Sequence, residues 1–203
     1  MKDTLNADVY YNKALEKSIE MNGEENSETA LAYLRYGDFL SATGNNQALD
    51  YLNRSLELYK KAFGPLNIDV STAYYYIGNN YYRKKNYTEA VNFFQLSLIA
   101  GFPGFTSGNI FDNPEIIANN LNDNLLNPLT AKATALLMIY KSDTTKIDFL
   151  KSSASSFALS LKMIEMLRST YQEEDSKLFI LEKEKNTYTN AVLTHVKLYN
   201  KTH

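Results

Sequence analysis

Side chains that do covalent or metal chemistry need partners at bonding distance, so the histidines, acids and cysteines come first. The sequence has no cysteine, which removes disulfides, thiolate metal sites and a cysteine nucleophile together. Its two histidines, His195 and His203, stand eight positions apart with no acid at ligand spacing from either. His195 therefore reads as a surface or half-buried packing residue. Glu173, Glu174 and Asp175 are adjacent, which makes a solvated acidic turn rather than a pair of opposed carboxylates. There is no HExxH, no glycine-rich phosphate loop and no nucleophile elbow. The expectation is a chain that is not an enzyme and takes no cofactor or metal. The chemistry that remains is recognition: Tyr75, Asn79 and Tyr82, four and three residues apart, share one flank of a helix, and Arg83 follows. Tyrosine beside an amide and a guanidinium offers large contact area, few rotors and directional donors. Packing of Tyr75 and Tyr82 against a neighbouring helix is the alternative use of the same residues.

The stretch Asp69 to Leu98 positions these residues. Tyr74, Ile77, Gly78 and Tyr81 recur at steps of three and four, and beyond the polar break Arg83-Lys84-Lys85-Asn86 so do Tyr87, Ala90, Phe94 and Ser97. This predicts two helices back to back, crossing closely at Gly78 and Ala90, with the aromatic rings filling the space around them.

The pattern repeats. Ala90, Phe94 and Ser97 form a small-large-small triplet at i, i+4, i+7, which recurs as Ala48, Leu52, Ser55 and as Ala7, Tyr11, Ala14, at spacings of 42 and 41 residues. Ser153, Phe157, Ser160 follow after a gap of 63, so something is inserted before them. Ahead of the Ala48 set, Tyr33, Tyr36, Gly37 and Leu40 reproduce Tyr74, Ile77, Gly78 and Tyr81. A period of this size means stacked helix pairs, because one pair cannot bury its own apolar face.

On these residues the chain resembles the tetratricopeptide repeat, and the long spacing, with Phe63-Gly64-Pro65 and Asp69-Val70 between units, is similar to the subclass in kinesin light chains. Beyond residue 100, Pro103-Gly104-Phe105, Asn113-Pro114, Leu167 to Tyr171 and Asp175 to Phe179 resemble the helical region that precedes the caspase-like peptidase domain in bacterial proteins of the CHAT type. The resemblance implies an all-α fold, a right-handed superhelical stack of antiparallel helix pairs (an α-solenoid) with a C-terminal capping helix. It implies a concave surface lined by the first helix of each pair, here Leu34 and Asp38 in one unit and Tyr75, Asn79, Tyr82 and Arg83 in the next. It implies a protein or peptide partner, either a separate chain or a domain of the same parent chain, and a non-catalytic scaffold; the alternative is the regulatory or substrate-recruiting arm of a caspase-like peptidase whose catalytic domain lies beyond residue 203. The family's basic clamp for acidic C-terminal tails is not expected, since Leu34, Asp38 and Tyr76 stand where Lys and Asn would be needed.

Composition agrees with this parse. With 44% hydrophobic and 13% aromatic residues and no tryptophan, tyrosine and phenylalanine must wedge the helices together. A formal charge of −2 lacks the cationic concentration that phosphate contacts require, so no nucleic-acid partner is expected. Asp3 and Asp8 interrupt any secretory leader and no long apolar run occurs, so a cytoplasmic protein without membrane contact is expected.

In chain order the expected organisation is a partial unit at 1–22, units at about 28–63 and 69–101, an irregular insert at 102–127, and a divergent helix pair plus capping helix at 128–203. Within the insert, Asn113 and Pro114 suggest a short helix to Leu121. The insert's Phe102, Phe105, Ile110 and Phe111 either cover a hydrophobic edge or form a binding loop. The later helices are expected at Leu129 to Tyr140, Ile147 to Tyr171 and Glu174 to Tyr199, the last with Leu178, Leu181, Tyr188, Ala191, Val192, Val196 and Tyr199 on its packed side.

Overall fold

The structure, a computed structural model, describes residues 2–118, 121–170 and 184–202. Within them run eight helices: α1 (Lys2–Asn22), α2 (Ser27–Ala42), α3 (Ala48–Phe63), α4 (Ile68–Arg83), α5 (Tyr87–Gly101), α6 (Asp123–Ser142), α7 (Ile147–Thr170) and α8 (Lys185–Thr202). No strand occurs among the described residues. Each helix from α1 to α7 packs on the next in sequence, and α8 packs on α7 with a smaller contact to α6. In addition α2 meets α4 and α4 meets α6, whereas α3 and α5 make no comparable contact. Alternate helices are therefore crowded on one side of the stack and spread on the other, which makes α2, α4 and α6 the inner layer of an all-α solenoid.

Local chemistry sets the helix ends. Asn26, Asn67 and Asn122 each accept a hydrogen bond from the backbone N–H two residues on, at 2.8, 2.7 and 3.0 Å, so asparagine starts α2, α4 and α6. Glu28, Asp69 and Asp123 follow in the first turns, where negative charge meets the positive end of the helix dipole. At the other end Gly44 and Lys85 occupy equivalent left-handed positions, φ 77° and 60°. The next residue in each turn, Asn45 or Asn86, donates its N–H back to Leu40 or Tyr81 at 2.9 Å. The two turns are the same device, built once with the residue that tolerates it and once without.

The repeated triplets are the interior of the stack. Ala48, Leu52, Ser55, Ala90, Phe94, Ser97, Ser153, Phe157 and Ser160 are all fully buried. A Cβ on Gly37 would lie 2.8 Å from Leu52 Cγ, and one on Gly78 would lie 2.6 Å from Phe94 Cε1. Glycine is thus required where α2 crosses Leu52 of α3 and α4 crosses Phe94 of α5; α6, which faces Phe157, has none. Two of these serines place their hydroxyls on facing carbonyls, Ser97 on Ser71 O and Ser153 on Ala133 O, both at 2.7 Å, while Ser160 donates to Ser156 O of its own helix at 2.9 Å and Ser55 Oγ has no partner among the described residues. The first triplet differs. Ala7 is half-buried, while Tyr11 and Ala14 are exposed, and so is Val9 at 48%. In α3, α5 and α7 the triplet faces the preceding helix of its own pair; α1 packs on α2 instead, through Leu15 and through a hydrogen bond from Tyr36 Oη to Asp8 Oδ1 at 3.0 Å.

Two expectations about the insert are corrected. Residues 114–117 are not helical, because Asn113 does not cap. Its side-chain oxygen accepts from Lys132 Nζ at 3.1 Å and from Ser156 Oγ at 3.0 Å. And α6 opens at Asp123, not at Leu129, with Pro128 inside it. The Asn122 cap and the burial of Leu125 and Leu126 hold the turns that precede the proline. The insert packs closely on the stack. Phe102 and Ile116 are 1% and 2% exposed, Phe105 and Ile110 are half-buried against the core, and the more exposed Phe111 meets Phe149 edge to face at 5.1 Å.

Two buried polar side chains fasten its backbone. Gln95 Nε2 donates to Ser107 O at 2.7 Å and Asn109 O at 3.0 Å. Lys132, fully buried in α6, reaches Asp112 O as well as Asn113. Burial pushes the Lys132 ammonium down to about 7, against the opposing pull of Asp112.

The last helix is described from Lys185 onward; Leu178 and Leu181, like Glu173 to Asp175 and Tyr171, lie outside the described residues. Its packed side is Thr187, Ala191 and Thr194, with Tyr188 and Leu198 half-buried. Val192, Val196 and Tyr199 are not on it, being 60%, 53% and 63% exposed. Small residues win the inward face because Ala191 lets α8 sit close to the cluster around Leu137 and Phe157.

Candidate functional site

Residues of α4 and α6 enclose a depression of about 210 Å³ on the inner side of the stack. From α4 it takes Tyr75, Asn79 and Tyr82, which share a helix flank because they are four and three residues apart. From α6 come Asn127, Thr130 and Thr134, again on one flank, with Ala131 between them. Phe94 forms the apolar bottom and Glu184 closes one side.

The tyrosines are both wall and core. Tyr75 is half-buried, with Tyr76 edge-on at 5.3 Å and Phe94 tilted at 6.0 Å. Tyr82 leans on Tyr87 at 5.3 Å. Burial raises the hydroxyl pKa of both; at Tyr75, Asn79 and Arg83 work in the opposite direction. Both phenols are therefore neutral donors and acceptors at ordinary pH. On the facing helix the buried hydroxyl of Thr130 has no hydrogen-bond partner, while Thr134 Oγ1 donates back to Thr130 O at 2.8 Å. Glu184 is 8% exposed and accepts from Thr187 Oγ1 at 2.9 Å. Among the described residues the lining is thus aromatic and neutral-polar with one acid and no cation.

Three of the six residues expected on this surface do not line the depression. Leu34 is 1% exposed and belongs to the core with Leu52, Ile77 and Ala73. It cannot meet a ligand. Arg83 and Asp38 are each other's partner: Arg83 Nη1 lies 2.7 Å from Asp38 Oδ1 and 2.9 Å from Ser41 Oγ. They tie the last turn of α4 to α2 beside the depression and do not line it. Asn127, Thr130, Thr134 and Glu184 were not anticipated. Taking α6 to begin after Pro128 put Asn127 in a loop and hid its spacing of three and seven to Thr130 and Thr134.

Residues 28–98 match the family model of the tetratricopeptide repeat. The match covers α2 to α5, the two units in which Gly37 meets Leu52 and Gly78 meets Phe94. Tetratricopeptide repeats generally mediate protein–protein interactions and are typically non-catalytic scaffolds. No curated protein matches the chain. Among the described residues no three His, Asp or Glu side chains converge as metal ligands, and no helix is long and apolar enough to cross a membrane.

Proposed function

We propose that the chain is a non-catalytic interaction scaffold that holds a protein segment, extended or helical, in the depression between α4 and α6. The observation that carries this reading is the meeting of Tyr75, Asn79 and Tyr82 with Asn127, Thr130 and Thr134 around one concavity. Aromatic faces supply contact area and the amides and hydroxyls fix orientation, the balance found where peptides are recognised by side-chain pockets. The described lining carries Glu184 and no cation, which argues for a neutral or basic segment over an acidic tail. The segment belongs to another protein or to a neighbouring domain of the same parent chain; the resemblance to the region before a caspase-like peptidase favours testing such a domain first.

The test is a pull-down with the parent protein's other domains and with host lysate, followed by titration of the identified partner. Tyr82→Ala should weaken binding by at least about 1 kcal/mol, and Asn127→Arg, an exposed change that fills the depression, should abolish it while helicity is unchanged. Wild-type affinity in both variants would put binding on another face.

A further inference from the structure

A second surface lies at the C-terminal end of the stack, where the end of α6 and one flank of α8, from buried Thr194 round to exposed Val196, enclose a groove of about 530 Å³. Its apolar part is Leu137, buried, with Leu193 and Val196, which are 58% and 53% exposed. Its polar part is Lys141, Lys197 and Lys201. The volume is in the range of built binding sites and more than twice that of the inner depression.

The charge says what fits there. The chain carries a formal −2, yet α8 from Lys185 to Thr202 has three lysines, one histidine and no acid. Lys141, Lys197 and Lys201 have no ion pair among the described residues, although nine ion pairs occur elsewhere in the structure. Lys197 and Lys201 are one helical turn apart, about 6 Å along the axis, so they match carboxylates at i and i+4 on a facing helix. Thr194, fully buried and lining the same groove, has a hydroxyl without a hydrogen-bond partner. A second copy of the chain is disfavoured as occupant, because an isologous contact through this face would set lysines against lysines.

We infer that the groove between the end of α6 and α8 docks an acidic amphipathic helix of a partner protein, its apolar residues on Leu193 and Val196 and its carboxylates on Lys141, Lys197 and Lys201. This site is independent of the inner depression, shares no lining residue with it among the described residues, and stands whether or not that depression binds.

The probe is a fluorescein-labelled helical peptide with leucines at i, i+3, i+4 and i+7 and glutamates on the flanks, compared with the same peptide carrying glutamine for every glutamate. In fluorescence anisotropy against the full chain the glutamate peptide should bind at least about tenfold more tightly than the glutamine peptide. Raising salt from about 50 to about 300 mM should weaken it severalfold. Val196→Asp, and separately the double change Lys197→Glu with Lys201→Glu, should each cost about tenfold. All three positions are exposed, so these variants should keep the wild-type melting midpoint. Tyr82→Ala should bind the peptide as wild type does. Equal affinity for the two peptides, indifference to the variants, or no binding at about 100 μM would overturn the inference. So would sedimentation showing a wild-type dimer that Val196→Asp dissociates, since the face would then belong to a second copy.

Discussion

Lys132 should make stability depend on pH in a direction opposite to the ion-paired case. Its ammonium is fully buried and donates to Asp112 O and to Asn113 Oδ1, with desolvation holding the pKa at about 7 against 10.5 for a free lysine. Below pH 7 both folded and unfolded chains carry the proton, and the cost of the buried charge is constant. Above pH 7 the folded chain releases its proton while the unfolded chain keeps it until near 10.5. The unfolded state then binds more protons, so stability rises with pH through that window. At 1.36 kcal/mol per unit the gain between pH 7 and 9 is about 2 kcal/mol. Tyr36, Tyr59 and Tyr188, each raised to about 12 and each with desolvation as the first cause, act oppositely but later. Their contribution is complete below pH 10 and is lost as pH climbs through 12. Urea unfolding of wild type and Lys132→Met from pH 7 to 9 isolates the lysine: the wild-type curve should climb by about 2 kcal/mol relative to the variant. Parallel curves would refute the reasoning, because they would mean that the ammonium is hydrated in the folded chain and that the insert is not fastened by a desolvated group.

Gly78→Ala should cost about 1 to 3 kcal/mol by overpacking, since the new Cβ would stand 2.6 Å from a ring of Phe94 that is fully buried and has nowhere to go; an unchanged denaturation midpoint would break the crossing argument. Phe102→Ala should cost about 3 to 5 kcal/mol given its 1% exposure, and a negligible loss in the same assay would mean that the insert contributes nothing to the core. Lys85→Gly should stabilise by about 1 kcal/mol by relieving φ 60° at a turn where the preceding unit already has Gly44, and a lower melting midpoint would contradict the equivalence of the two turns.

The local periods carried the helix pairs of this protein from sequence to structure. Steps of three and four and the glycine opposite a large residue are properties of a few consecutive residues, so Gly37, Gly78 and the three buried triplets were written in the chain. The shared flank of Tyr75, Asn79 and Tyr82 was legible for the same reason. What faces that flank was not. Tertiary packing alone buried Leu34, paired Arg83 with an aspartate 45 residues earlier, and carried α6 back through Pro128 so that Asn127 joined the depression. It also chose the inward side of α8, where apolar residues occur on more than one flank and close approach at Ala191 outweighed the area offered by Val192 and Val196. Asn113 shows the limit most plainly. A cap is one hydrogen bond to a neighbour in sequence, and it lost to Lys132 and Ser156, whose proximity only the folded stack creates.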